Sequence, residues 1–195
     1  GFDPEDFEVS LGGVERDSDR MRLLYSGVFY DAQRPESFLA GLGRAIDRQP
    51  EIRGRLSADF IGLVPESFDR NVAELSLGDV VTYHGYESHA NTVARLVGAD
   101  VLWMTIGEQR GAEGISTGKL YEYFGSRRPI LGLVPQGVAR NDLKRYGAAT
   151  VVDPDDVDAI AEAILRLFGR WFSGTLPKPD EAFVESFSRK RLTGD

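Results

Sequence analysis

Short apolar runs alternate along this chain with segments whose apolar residues recur every three or four positions. The runs are 21–26, 58–64, 79–84, 99–106, 129–134 and 150–152. Each reads as a buried β-strand. Helices are predicted between them over 34–48, 66–75, 88–97, 118–125 and 138–146. Phe38, Leu39, Leu42, Ala45 and Ile46 share one helical face. Val157, Ile160, Ala161, Ile164, Leu165 and Phe168 share another. Local signals punctuate the pattern: Pro35 suits a first helical turn, Ser88 an N-cap, and Gly98 and Gly147 helix ends. Asp153 with Pro154 reads as the cap and first residue of the long helix that follows. After a loop rich in Pro and Lys, a last helix is expected over 180–192. Six strands with helical crossovers predict an α/β fold with a doubly wound parallel six-stranded sheet, Rossmann-like. The sheet domain would span 21–179, with a C-terminal helix in 180–195. Residues 1–20 carry no strong signal and read as a linker or an edge.

Composition narrows the function. The chain has 195 residues, 23 Lys plus Arg against 31 Asp plus Glu, and a net charge of −8. That balance, without a basic run, argues against a nucleic-acid backbone as partner. It also argues against contact with anionic lipid. The chain has no cysteine, which excludes a disulfide scaffold, a zinc–thiolate site and a cysteine nucleophile. No apolar run approaches the ~20 residues that cross a bilayer. The N-terminal GFDPEDFEVS has no signal-peptide core, so a cytoplasmic protein is expected.

In a doubly wound sheet ligands bind at the carboxyl ends of the strands, so the loops at 27–34, 84–88, 107–119 and 134–137 hold the candidate chemistry. Gly41 and Gly43 look like the start of a dinucleotide fingerprint, but they lie inside a predicted helix and lack the third glycine. Gly118–Lys119 looks like the end of a P-loop, but Glu113 stands where its first glycine belongs and Leu120 replaces its hydroxyl residue. His84 and His89 have no third ligand nearby.

The informative segment is GISTGKLYEYFGSRRPIL, from Gly114 to Leu131. A glycine-rich loop opens directly into a helix, a ready anion site. Lys119 in the first turn opposes the helix dipole, which hints at an anionic ligand. Leu120, Tyr123 and Phe124 make the buried face, and Glu122 points away from it, towards the loops. Glu122 is placed to accept both hydroxyls of a ribose; alone, it also reads as an exposed glutamate paired with Lys119.

This segment resembles the signature of the C-terminal domain of GT-B glycosyltransferases, of the retaining type grouped as family 4. Other pieces arrive in the family's order. LLYSGVFYDAQRPESFLAGL resembles the first strand and its donor-phosphate loop. VTYHGYESHANTVARLVGADVLW and GAATVVDPDDVDAIAEAI resemble later blocks, and GFDPEDF the hinge leaving an N-terminal domain. The resemblance implies a donor-binding domain for a nucleoside diphosphate sugar, needing no divalent metal and no other cofactor. It also implies an acceptor-binding N-terminal domain outside these residues. By the same resemblance, Glu122 holds the ribose, and Ser116, Thr117, Gly118 and Lys119 surround the diphosphate. Gly27 lets the donor approach the first strand, Arg34 sits near the basic phosphate position, and Gly85 and Tyr86 border the nucleobase. Lys119 and Arg34 would stabilise the charge of the leaving diphosphate.

Two positions depart from the pattern. Val28 replaces the family's arginine, which leaves more of the phosphate clamp to Arg34. The family's first glutamate, eight residues before the second, falls on Gly114, with Glu113 one position off. These departures keep two other readings in view. One is a degenerate domain serving as a scaffold or interaction module, and the other a nucleotide-sugar epimerase.

Overall fold

The computed structural model describes residues 1–10, 19–30, 33–108, 111–114 and 118–189, with no side chains described for residues 8–10. Among these, six strands form one sheet: β1 (Met21–Val28), β2 (Leu56–Leu63), β3 (Val81–Tyr83), β4 (Val101–Thr105), β5 (Ile130–Leu133) and β6 (Ala149–Val152). All pairs are parallel, in the order β3-β2-β1-β4-β5-β6. The expected doubly wound α/β architecture is the one observed.

The helices are α1 (Pro4–Ser10), α2 (Glu36–Arg48), α3 (Phe68–Glu74), α4 (His89–Gly98), α5 (Gly118–Ser126), α6 (Val138–Tyr146), α7 (Val157–Phe172) and α8 (Glu181–Glu185). One apolar core lies under α2, α3 and α7, built on Phe38, Leu42, Trp103, Ile160 and Ile164. The other lies under α4, α5 and α6, built on Leu96, Leu102, Leu120, Phe124 and Leu143. Gly41 lets α2 and α7 cross closely, since a Cβ there would stand 2.3 Å from a methyl carbon of Ile160. No helix among the described residues is long and apolar enough to cross a membrane.

Several local expectations are corrected. The long helix begins later than Asp153, because the Asp153 carboxylate is taken by Arg140 at 2.5 Å. Asp156 caps α7 instead, accepting from the Ala159 N–H at 2.9 Å. Gly98 is the last residue of α4 rather than its cap; Ala99 leaves in extended conformation and leads into β4. Of the helix expected over 180–192, α8 covers Glu181–Glu185, capped by Asp180, and is followed by a turn; residues 190–192 lie outside the described residues. Of residues 1–20, expected as a linker or an edge, residues 1–10 include α1, with Phe2 and Phe7 buried in the second core against Gly125, and residues 11–18 lie outside the described residues. Phe2 pairs in parallel with Ser188.

One register feature positions the site. β1 pairs with β2 along its whole length, from Met21 with Leu56 to Val28 with Leu63. It pairs with β4 only at Leu23 and Leu24. Beyond that point the two strands separate, and the buried Tyr123 hydroxyl of α5 fills the gap. It accepts from the Ser26 N–H at 3.0 Å and donates to the Trp103 carbonyl at 3.1 Å. The sheet therefore opens at the strand pair where its order reverses.

Two outcomes follow for stability. Tyr123→Phe strands the buried Ser26 N–H and is expected to cost about 2 kcal/mol, read as a lower denaturant midpoint at unchanged slope. Phe2→Ala is expected to cost about 3 kcal/mol in the same measurement; a linker residue would cost nothing.

Candidate functional site

The parting of β1 from β4 exposes the backbone of Gly27 at the carboxyl edge. Gly27 has φ +135°, and its missing side chain leaves room for the end of Lys119. A Cβ at Gly27 would lie 2.6 Å from Lys119 Cε and 2.7 Å from Nζ. Lys119 belongs to the first turn of α5, four residues before the Tyr123 that pins the helix to the sheet. Its ammonium donates to the Tyr25 hydroxyl at 2.6 Å and lies 3.8 Å from the Tyr25 ring centre. Tyr25 is fully buried, with its ring stacked on Phe29 at 4.1 Å, and its hydroxyl donates to the Val28 carbonyl at 3.3 Å.

No carboxylate among the described residues stands within ion-pair distance of this ammonium. The expected alternative, a Lys119–Glu122 pair, does not form. Burial pulls the Lys119 pKa from its usual 10.5 down to about 7, against a smaller opposing pull from Glu122. Burial also raises the phenol pKa values of Tyr25 and Tyr123.

The second floor glycine escaped the sequence reading. Gly62, at φ +113°, lies beside Gly27 in β2, and a Cβ there would stand 2.1 Å from the Gly27 carbonyl oxygen. A lone glycine inside the apolar run 58–64 was the available signal. The Gly62 N–H donates to the Gly85 carbonyl at 2.8 Å, and the Tyr83 hydroxyl donates to the Gly62 carbonyl at 2.9 Å. Gly85 has φ +73°, so the turn it makes favours glycine. Tyr86 follows it and is 84% exposed, so it packs under nothing. Beside this loop His84 Nε2 meets Asp59 Oδ1 at 2.6 Å, while His89 bonds Asp6 at 3.1 Å. The two histidines thus serve different carboxylates.

The other expected residues are more dispersed. Glu122 is half-buried and lines a small cavity with Phe2, Asp6 and His89, so it faces the N-terminal segment and the start of α4. Arg34 is exposed and borders a 270 Å³ cavity with Ser37, Thr105, Gly107 and Asp155, between the loops that follow β1, β4 and β6. Glu113 is exposed on a 3-10 turn, its backbone pressed against Gly137, and borders a 380 Å³ cavity with Glu108 and Gln136. No hydrogen bond or ion pair joins Lys119 to Arg34 or Glu113. Gly118 opens α5 and is exposed. Ser116 and Thr117 lie outside the described residues. Arg127, just past α5, pairs with Glu181 at 2.8 Å and with Glu185, tying the end of α5 to α8.

A cavity of 420 Å³ lies at the opposite edge, between Asp100, Arg128, Pro129, Trp171 and Leu176. It holds none of the expected residues and faces the amino ends of β4 and β5, whereas doubly wound sheets bind ligands at their carboxyl ends.

Comparison with solved structures agrees with the architecture. A trehalose-6-phosphate synthase, OtsA, superposes with TM-score 0.69 at 16% identity, covering 100% of this chain and 47% of that one. A glycosyltransferase from Rickettsia africae gives 0.71 at 12% identity, covering 96% and 50%. HepE of Anabaena, solved with UDP and glucose, gives 0.65 at 13% identity, covering 99% and 50%. This chain has the fold of the C-terminal domain of GT-B glycosyltransferases. It spans about half the length of the solved structures it matches. No family model matches the chain, and no curated protein matches it by sequence.

Within this fold the half-buried Lys119 sets a pH dependence of stability. The unfolded lysine keeps its usual 10.5 and the folded one titrates at about 7. Between those values the unfolded chain holds more protons, so stability rises with pH. Lys119→Met removes the cost of burying the charge. It is expected to raise stability by on the order of 2 kcal/mol at pH 6, with the gain vanishing near pH 10. Denaturation of both proteins from pH 6 to 10 measures the difference; a gain equal at every pH would refute the buried charge.

Proposed function

We infer that this chain is the donor-binding half of a glycosyltransferase, taking a nucleoside diphosphate sugar at the carboxyl edge of β1 and β4. The observation that carries the reading is Lys119: a half-buried amine in the first turn of a helix, with no carboxylate among the described residues within ion-pair distance. Burying a cation against the helix dipole is unfavourable unless an anion completes the site. A diphosphate over Gly27 supplies that anion. Glu122, one turn further along α5, accepts the ribose hydroxyls, and the Gly85–Tyr86 loop borders the base.

In the proposed reaction the bond between the anomeric carbon and the diphosphate breaks. A bond to an acceptor oxygen forms, and the acceptor hydroxyl gives up its proton. Lys119 and Arg34 stabilise the charge on the leaving diphosphate, which is electrostatic catalysis needing no divalent metal. The acceptor-binding residues belong to an N-terminal domain outside this chain, so the chain alone binds donor and transfers nothing. Support for glycosyl transfer comes from the fold shared with the synthase and the glycosyltransferase above.

A scaffold role is favoured by Val28 in the arginine position and by Glu113 facing a cavity of its own. Titration of the chain with UDP, GDP, ADP and dTDP, with and without Mg²⁺, separates the two. Saturable metal-independent binding of one nucleotide is expected, weakened about 5- to 150-fold by Glu122→Ala, equivalent to ~1–3 kcal/mol. No binding by this chain or by the full-length protein would favour the scaffold.

A further inference from the structure

Lys119 occupies the space over Gly27 that the diphosphate reading assigns to the donor. Its Nζ and Cε fill the position of a Gly27 side chain, and its hydrogen-bond partner among the described residues is the Tyr25 hydroxyl. Tyr25 is itself fixed on three sides, by its stacking on Phe29, its approach to Trp103 at 4.8 Å and its bond to the Val28 carbonyl. The half-buried amine is thus held down on an aromatic ring by a residue that no donor atom needs to touch.

We propose that Tyr25 is a positioning residue that holds the Lys119 amine over Gly27, and that donor binding draws this amine onto the diphosphate and charges it with a proton taken from solvent. The inference rests on the diphosphate reading above and deepens it.

The proton balance is simple: with the free amine titrating at about 7, about half of the amines are neutral at pH 7, and each of these gains one proton from solvent to become the ammonium that pairs with a phosphate oxygen. Among the described residues, Tyr25 from β1 touches Lys119, and Glu122 of its own helix, turned towards the N-terminal segment, acts on it only through its charge. Tyr123 and Tyr30 stand next to Tyr25. Burial raises the Tyr25 phenol, so it stays protonated through the neutral range. Glu122 lies beyond ion-pair distance of the amine. Lys119 is therefore the group on this surface that exchanges its proton as an anion arrives. A dianionic diphosphate replaces the hydroxyl as its partner and favours the charged form.

The test is calorimetric titration at pH 7 with UDP-glucose and GDP-mannose, whose diphosphates do not titrate near neutrality, in PIPES, HEPES, imidazole and Tris. The slope of apparent enthalpy against buffer ionisation enthalpy counts protons. About half a proton should be taken up per donor bound, and affinity should fall about tenfold from pH 6 to 8. Tyr25→Phe frees the amine to turn into water, where it is already charged; uptake should fall below about a tenth of a proton and the pH dependence should flatten. Lys119→Arg, a cation at every pH, should take up none. It keeps the test decisive if Tyr25→Phe does not fold. Donor binding with no buffer dependence in the unaltered chain would overturn the proposal and leave the donor reading intact. Buffer dependence that survives Lys119→Arg would overturn it too. If no UDP-, GDP-, ADP- or dTDP-linked sugar binds either this chain or the full-length protein, both fall together.

Discussion

A single phenol holds this site open. Parallel strands at the centre of a sheet normally satisfy each other's backbone groups along their whole length. Here β1 and β4 do so for two residue pairs and then part. The parting would leave the Ser26 N–H unpaired in the core, at a cost comparable to a lost hydrogen bond. The Tyr123 hydroxyl takes its place and the Trp103 carbonyl's as well. The same contact fixes the height and rotation of α5, and through them the position of Lys119, one turn earlier. Sheet topology and candidate chemistry thus meet in one side chain.

The second constraint is the pair of facing glycines. Gly27 and Gly62 lie in register, both at positive φ. Gly62 has no room for a Cβ because the Gly27 carbonyl is there, and Gly27 has none because Lys119 is there. Two adjacent strands that end in bare backbone make a shallow floor. A long side chain crosses that floor from one face of the sheet to reach an aromatic ring belonging to the other core.

Most of the architecture was legible because it rests on local periodicity. The faces of α2 and α7, the N-cap at Ser88 and the glycine ending α6 follow from sequence spacing alone, and the structure has them. The errors share a cause: a local rule was met but a distant residue claimed the group. Asp153 has the sequence of a cap, yet Arg140, on α6 across the intervening strand, holds its carboxylate. Residues 1–10 lack a long apolar pattern, yet Phe2 and Phe7 find a slot over Gly125. Of the candidate site, the identity of Lys119 was legible from its place at a helix start. Its burial was not, because that depends on Gly27 and Tyr25, nearly a hundred residues earlier. Arg34 and Glu113 were read from a linear motif, and the fold gives them separate cavities.

The pairing of Phe2 with Ser188 bears on how the domain answers to tension. The two segments run parallel, so force applied outward through residue 2 and residue 188 loads their contact in shear rather than peeling it apart. Phe2 packs against Gly125 in α5, so that load passes directly into the helix that carries Lys119. Mechanical strain between the two ends of the domain and the geometry at its carboxyl edge are thereby two readings of the same displacement.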